Sequence, residues 1–319
     1  MQKKYPQIED AYETLYKICK EALEKKYSGP LKEKALKNLE YELANIERQG
    51  TASMYLLFND MLRGVEARPE EFCLRGMLST TVISYILGFS SYEPLEIEPK
   101  VYSFFFFGQD GLNEPSFEIS VTDDLYYRLV EYWKSYQGEI PYEKFVDLSD
   151  KLDKDGEKKW LGVLLGERSG QPDLDDRARI MFVTVNKDEI KKILNEDVWK
   201  ACPHESLKDY VKCFGLSMNG IWSDSAENLY KEGIVPFDKL IANREDVYEL
   251  LEAHDMTLQG IEITEEVRKG KIQKKGWSEE QLEELRAHNI PEWFIDVCTK
   301  IPYLFPRAQA IEIYRFINS

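Results

Sequence analysis

The chain has 319 residues, 43% of them hydrophobic, and 58 acidic side chains against 42 basic ones give a formal net charge of −16. That apolar content is ample for packed cores, which excludes a disordered chain, and the length allows two or three structural units. The acidic excess weighs against a nonspecific nucleic-acid binder, which normally carries the opposite balance. Screening over roughly 8 Å at physiological salt still leaves room for a local basic patch to meet phosphates.

Taken in chain order, Ala11, Leu15, Ile18, Ala22 and Leu23 recur at helical spacing, and Gly29-Pro30 ends that helix and opens the next. The second helix carries Leu36, Leu39, Leu43 and Ile46. A third, from Ser53, is apolar on every side and is expected to be buried. A polar turn at Ala67-Arg68-Pro69 leads through Arg75-Gly76 to a short apolar helix over 80–87, closed by Gly88. Three runs then read as strands of a small sheet: 101–107, 115–121 and 180–185. Between them, 123–136 and 142–152 read as helices, 151–159 as a solvated charge run and 166–176 as an exposed connection. From Asn186 onward the pattern is helical, in short pieces punctuated by Gly220, Gly233, Gly270, Gly276 and Pro291.

Cys19, Cys73, Cys202, Cys213 and Cys298 show no CxxC spacing, and His204, His254 and His288 have no partner pattern, so the expectation is no zinc site, no disulfide framework and no bound metal or cofactor. The start, Met-Gln-Lys-Lys-Tyr-Pro, leads into an amphipathic helix rather than an apolar signal segment. No run approaches membrane-spanning length, so a cytoplasmic protein with no membrane partner is expected.

The last third holds a series of motifs in order: Phe214-Gly215-Leu216-Ser217, Trp222, Ala226 to Gly233 (AENLYKEG), Val267 to Lys271 (VRKGK), Ile290 to Asp296 (IPEWFID) and Ile301 to Ala308 (IPYLFPRA). Upstream, Leu36 to Tyr55 and the run Arg75 to Pro94 (RGMLSTTVISYILGFSSYEP) continue the series. Together these resemble the palm and fingers of the PolC-type replicative DNA polymerase III alpha subunit of Gram-positive bacteria. The resemblance spans about two thirds of the chain and fades over 123–200. It implies a predominantly helical α+β protein, in which a small palm-like mixed β-sheet precedes an all-helical fingers-like region. The implied division is a reduced palm and thumb-like region over 1–200, with a helical lead-in to 98 and a sheet from 99, then a fingers-like region over 201–319. The family's N-terminal and tail regions have no counterpart in this sequence, which stops within the final fingers helix.

The family's chemistry uses two metal ions held by aspartates, which activate the primer hydroxyl and neutralise the transferred phosphate. Its first aspartate pair aligns with Pro115-Ser116-Phe117-Glu118, where alternation puts residues 116 and 118 on one face. Glu118 is thus the one catalytic candidate, and the strand 179–185 brings no carboxylate. Mg²⁺ is implied only if catalysis persists. In the phosphate turn the resemblance implies Arg75, Gly76, Ser79 and Thr80 as nucleotide or phosphate ligands, joined by Arg307; the alternative for the hydroxyls is capping and packing of a buried helix. Arg268, Lys269, Lys271, Lys274 and Lys275 form the one basic cluster, read as a flexible glycine-flanked loop that contacts DNA phosphates; the alternative is a solvated loop whose charge Glu262, Glu265 and Glu266 balance.

These residues give a leading expectation of a catalytically inactive polymerase relic with at most weak DNA or nucleotide binding. The alternatives are a protein-interaction module that mimics part of the polymerase and binds replication proteins or a second copy of itself, and an active nucleotidyltransferase drawing on Asp173, Asp175 and Asp176.

Overall fold

The computed structural model describes residues 8–108, 117–135, 146–152, 159–165 and 178–319. They divide into two compact units: Met1–Ile97, Tyr102–Ile190 and Arg315–Ser319 form the first, Glu98–Val101 and Lys191–Tyr314 the second. The protein is a predominantly helical α+β structure, as the sequence implies. No helix among the described residues is long and apolar enough to cross a membrane.

The first unit opens with three helices, α1 (Ala11–Lys26), α2 (Gly29–Gln49) and α3 (Ala52–Gly64). Proline in the first turn of α2 removes an N–H that has no helical partner, and Gly50 ends the helix in the left-handed region at φ 67°. Leu15, Cys19 and Leu23 of α1 and Leu39, Leu43 and Ile46 of α2 are buried in one core, and α3 is buried almost all round, as its pattern requires. Two short helices follow, α4 (Val82–Ile86) and α5 (Phe104–Phe107), and later α6 (Asp123–Ser135).

Five strands, β1 (Phe72–Leu74), β2 (Phe117–Val121), β3 (Val146–Leu152), β4 (Lys159–Leu165) and β5 (Ala178–Thr184), form one mixed sheet in the order β1-β2-β5-β4-β3. Only β2 and β5 are parallel; the other three pairings are antiparallel. Period two on β2 turns Phe117, Ile119 and Val121 into the core, where Phe117 meets the rings of Tyr55 and Phe58, each at 5.1 Å between centroids. This seats α3 against the sheet.

Two expectations change. The segment 101–107 is not a strand: Phe104–Phe107 closes a helical turn, with Phe106 N–H donating to the Ser103 carbonyl at 2.9 Å and Gly108 at φ 80° ending it. Phenylalanine's preference for strands yields to packing, since Phe107 places its ring edge-on to Tyr41 of α2. The stretch 146–152 is a strand rather than a helix, because β4 supplies a full antiparallel partner, Ser149 opposite Gly162. β1, only three residues long, falls below what a periodic pattern can reveal. Asp173, Asp175, Asp176, Pro115 and Ser116 lie outside the described residues.

The second unit is helical. Its helices include Glu196–Ala201, Leu207–Ser217, Arg244–Glu252, Thr257–Arg268, Lys271–Lys275, Glu279–Ala287, Glu292–Cys298 and, up to Tyr314, Arg307–Asn318. Ser206 and Asp209 exchange a capping box at the start of Leu207–Ser217, and Ser278 and Gln281 do the same for Glu279–Ala287. The core gathers Leu216, Trp222, Val247, Leu251, Val267, Leu285, Phe294 and Leu304. Gly215 faces the main chain of Ala242 so closely that a Cβ would lie 2.4 Å from the carbonyl oxygen. We expect Gly215→Ala to cost about 1–3 kcal/mol, as overpacking typically does, read as a lower denaturant midpoint; an unchanged midpoint would show that the backbone yields freely there.

Candidate functional site

The site implied by the family motifs begins on the sheet. β1 continues one residue past its end, with Arg75 N–H donating to the Glu118 carbonyl at 2.9 Å, and this alignment brings the Arg75 guanidinium to 3.9 Å from the Glu118 carboxylate. Both side chains are partly exposed, so the pair contributes about 0–1 kcal/mol at most. Its importance is chemical, because a cation occupies one side of the carboxylate and Met181 stands opposite Glu118 in the β2–β5 register. A hard cation such as Mg²⁺ takes oxygen ligands in near-octahedral array. Guanidinium and thioether neighbours do not supply them, and among the described residues no three His, Cys, Asp or Glu side chains could hold a metal ion. Among the described residues, these neighbours of Glu118 do not make up a two-metal donor set.

The turn after Arg75 is held by its own hydroxyls. Gly76 adopts φ 70° with open space where a side chain would be. Ser79 is buried and accepts a hydrogen bond from the Tyr92 hydroxyl at 3.1 Å, while Thr80 Oγ1 donates to the Met77 carbonyl at 2.8 Å. Thr81 caps α4, accepting from Ser84 N–H at 3.2 Å. The next two amides, Val82 and Ile83, donate to the two carboxyl oxygens of Glu42 on α2 at 2.8 and 3.0 Å. Glu42 is fully buried; burial pushes its carboxyl up to about 8, against the two amide bonds, which pull it down. Glu42 did not figure among the sequence candidates, although it lies on the face of α2 that carries Leu39, Leu43 and Ile46.

Arg307 is placed in a buried ionic cluster. Its guanidinium donates to Asp246 at 2.7 Å, to both Glu249 oxygens at 2.6 Å and to the Lys100 carbonyl at 3.2 Å. Lys212 reaches the same Asp246 oxygen at 2.7 Å and the Leu240 carbonyl at 2.8 Å. The other Asp246 oxygen accepts from the Ala242 and Asn243 amides at 2.9 and 2.8 Å. Burial pushes the Asp246 carboxyl up, but Lys212 and Arg307 outweigh it and hold it down at about 2. Burial lowers Lys212, with Asp246 opposing, and Arg307 is raised because Asp246 and Glu249 overcome its desolvation. Alongside, Arg244 and Glu245 pair at 2.5 Å, and Arg307 N–H donates to Glu245 at 2.9 Å.

The basic cluster is not a loop. Two helices meet at Gly270, whose φ is 65° and whose missing Cβ would lie 2.3 Å from the Pro302 carbonyl oxygen. Arg268 donates twice to Glu265, at 2.9 and 2.8 Å, and to the Tyr303 hydroxyl at 3.1 Å. Lys269 pairs with Glu265 at 3.2 Å and Lys271 with Glu266 at 3.7 Å, while Lys274 and Lys275 are exposed. Beside them runs a groove of about 580 Å³ whose lining includes Lys271, Lys275 and Trp277 together with Glu262, Glu266, Glu280 and Glu284. The VRKGK and IPYLFPRA motifs are thus one assembly, closed by Leu304 N–H donating to the Arg268 carbonyl at 3.1 Å.

Comparison with known proteins supports the PolC-type resemblance. A family model of the bacterial DNA polymerase III alpha NTPase domain matches residues 13–151. The PolC-type DNA polymerase III of Caldanaerobacter subterraneus subsp. tengcongensis is 38% identical over 109 residues, 33% of this chain and 7% of that protein. The Staphylococcus aureus and Clostridium perfringens PolC-type enzymes are 33% and 36% identical over 131 and 109 residues. Over these stretches the chain is similar to PolC-type DNA polymerase III. Its matches span less than a tenth of the length of these relatives, at 7%, 9% and 7%. Within this PolC-like framework Glu118 lies on the first unit's sheet and Ser79 and Thr80 in its buried turn, whereas Arg307 and the basic residues 268–275 belong to the second unit.

Two outcomes check this geometry. Arg307→Ala leaves Asp246 and Lys212 buried with a missing cation, and should cost about 3–5 kcal/mol; Arg307→Lys should recover only part, since an ammonium cannot span Asp246 and Glu249 together. Chemical denaturation measures both, and a loss below 1 kcal/mol would contradict the cluster's structural role. Glu42, raised from its ordinary 4.5 to about 8, favours the fold most when protonated, so its contribution is full below pH 4.5 and is lost as pH rises through 8. Relative to Glu42→Gln, the wild-type melting temperature should therefore fall between pH 5 and pH 8.5; a constant difference would mean the carboxyl does not titrate there.

Proposed function

We propose that this PolC-like chain performs no nucleotidyl transfer and acts as a folded relic of a polymerase palm and fingers, with at most weak DNA binding. The observation that carries the reading is the environment of Glu118, whose carboxylate is paired with the Arg75 guanidinium at 3.9 Å and stands opposite Met181 in the β2–β5 register. The inward commitment of Ser79, Thr80 and Arg307 supports it, because those groups are already bonded within the fold. No metal or other cofactor is part of this reading. Its cellular setting is the cytoplasm.

DNA contact, on this reading, runs through Lys269, Lys271, Lys274 and Lys275. Glu262, Glu265 and Glu266 stand close to the same helices and offset part of their charge, which keeps the affinity low and salt-sensitive. A second reading, in which the chain binds replication proteins or a second copy of itself, is favoured by the net charge of −16, better suited to a protein surface than to a phosphate backbone.

Primer extension on a templated duplex, with Mg²⁺ or Mn²⁺, should give no synthesis above background, and Glu118→Ala should leave that result unchanged. Robust templated synthesis abolished by Glu118→Ala would overturn the proposal. In gel-shift titration at low salt, replacing Lys269, Lys271, Lys274 and Lys275 by alanine should remove any measurable DNA affinity; retained affinity would assign the contact elsewhere.

A further inference from the structure

Helices Thr257–Arg268, Lys271–Lys275 and Glu279–Ala287 line the groove of about 580 Å³ in the second unit. Its lining is partly apolar, through the buried side chains of Ile263 and Ile272. Trp277, half-buried, forms another part of the wall, and its indole N–H donates to the Ile295 carbonyl at 3.0 Å, which fixes the ring. Gln281 fixes a further edge: its side-chain oxygen accepts from Ser278 N–H at 3.0 Å while its amide donates to Glu266 at 2.8 Å. The groove is thus held open by its own bonds. We propose that it is the docking site for an extended lysine- and arginine-rich segment of a protein partner, a proposal that deepens the protein-binding reading and rests on it.

Charge selects the occupant. The carboxylates of Glu262, Glu266, Glu280 and Glu284 line the groove against the two ammonium groups of Lys271 and Lys275. Glu266 is met by Gln281 and by Lys271, whereas among the described residues no ion pair reaches Glu262, Glu280 or Glu284. The balance complements a cationic ligand and opposes a phosphate chain. Spacing then selects a peptide. Glu262 and Glu266, like Glu280 and Glu284, stand four residues apart on their helices, which is about 6 Å along the axis, and side chains on one face of an extended strand repeat at about 7 Å. Successive lysines or arginines on that face therefore keep step with the carboxylates of a helix. The Trp277 ring offers an arginine a stacking surface. Leu258, one turn before Glu262 in the same helical row and 67% exposed, adds an apolar contact for a segment long enough to run past the groove.

The experiment measures fluorescence anisotropy of a short labelled peptide, with lysine or arginine at alternate positions and serine between them, on titration with the intact chain at low salt. The wild-type chain should bind it, and Glu262→Gln, Glu280→Gln and Glu284→Gln together should weaken binding about tenfold. The same loss of charge placed in the first unit, by Glu13→Gln, Glu21→Gln and Glu33→Gln, should leave the affinity within about twofold, because distant charges are screened. Lys271→Gln with Lys275→Gln should tighten the peptide, the opposite of what a DNA-phosphate contact there requires. Denaturant midpoints report whether each variant is folded. Equal weakening by the groove and first-unit variants would overturn the groove while leaving the protein-binding reading intact. No binding by the wild-type chain, weaker binding after the lysine substitutions, or displacement by spermine at the peptide's own affinity would also overturn the proposal. The protein-binding reading fails separately, if the chain neither binds replication proteins nor self-associates.

Discussion

The carboxylate of Asp246 is the constraint on which the second unit is built. A buried anion is tolerable only when its lone pairs are filled and its charge is met. Here two amides and two cations do both, drawing together residues 212, 240, 242, 243 and 307 around one side chain. Arg307 carries the connection further, to Glu249 and Glu245. Removing one member leaves the others buried and uncompensated, so the cluster resists piecemeal change. That resistance offers a physical reason for the arginine of the IPYLFPRA motif in a chain for which we propose no catalytic role.

The same reasoning extends to VRKGK. Arg268 is bound to Glu265 and Tyr303, and Gly270 fits where its neighbour's carbonyl leaves no room for a methyl group. These residues bind to one another, and their spacing in the sequence records a packing arrangement. A motif can therefore identify descent while its side chains serve the fold alone.

Much of this was legible beforehand. The apolar spacing of α1 and α2 and the all-round hydrophobicity of α3 declared the helices and their burial, because periodicity is a local property. Where a partner distant in sequence decides the conformation, local reading failed. Val146–Leu152 needed β4 to become a strand, and Phe104–Phe107 needed α2 to become a helical turn. The site was less legible still. Arg307 reads as a phosphate ligand until Asp246, 61 positions away, is brought to it. Two signals were nevertheless present: Glu42 sits on an apolar helical stripe, and Lys212 interrupts an apolar run between Val211 and Cys213, each marking a charge destined for the interior.

Glu42 also bears on the order in which the first unit assembles. α4 is only five residues long, too short to persist alone in water. The amides at its start are satisfied by a carboxyl group 40 and 41 residues earlier in the chain. Helix α4 therefore has no stable existence until α2 has formed and closed that long loop. The segment Arg75 to Gly88 is in this sense a late element of folding, completed by α2 rather than nucleated by its own sequence.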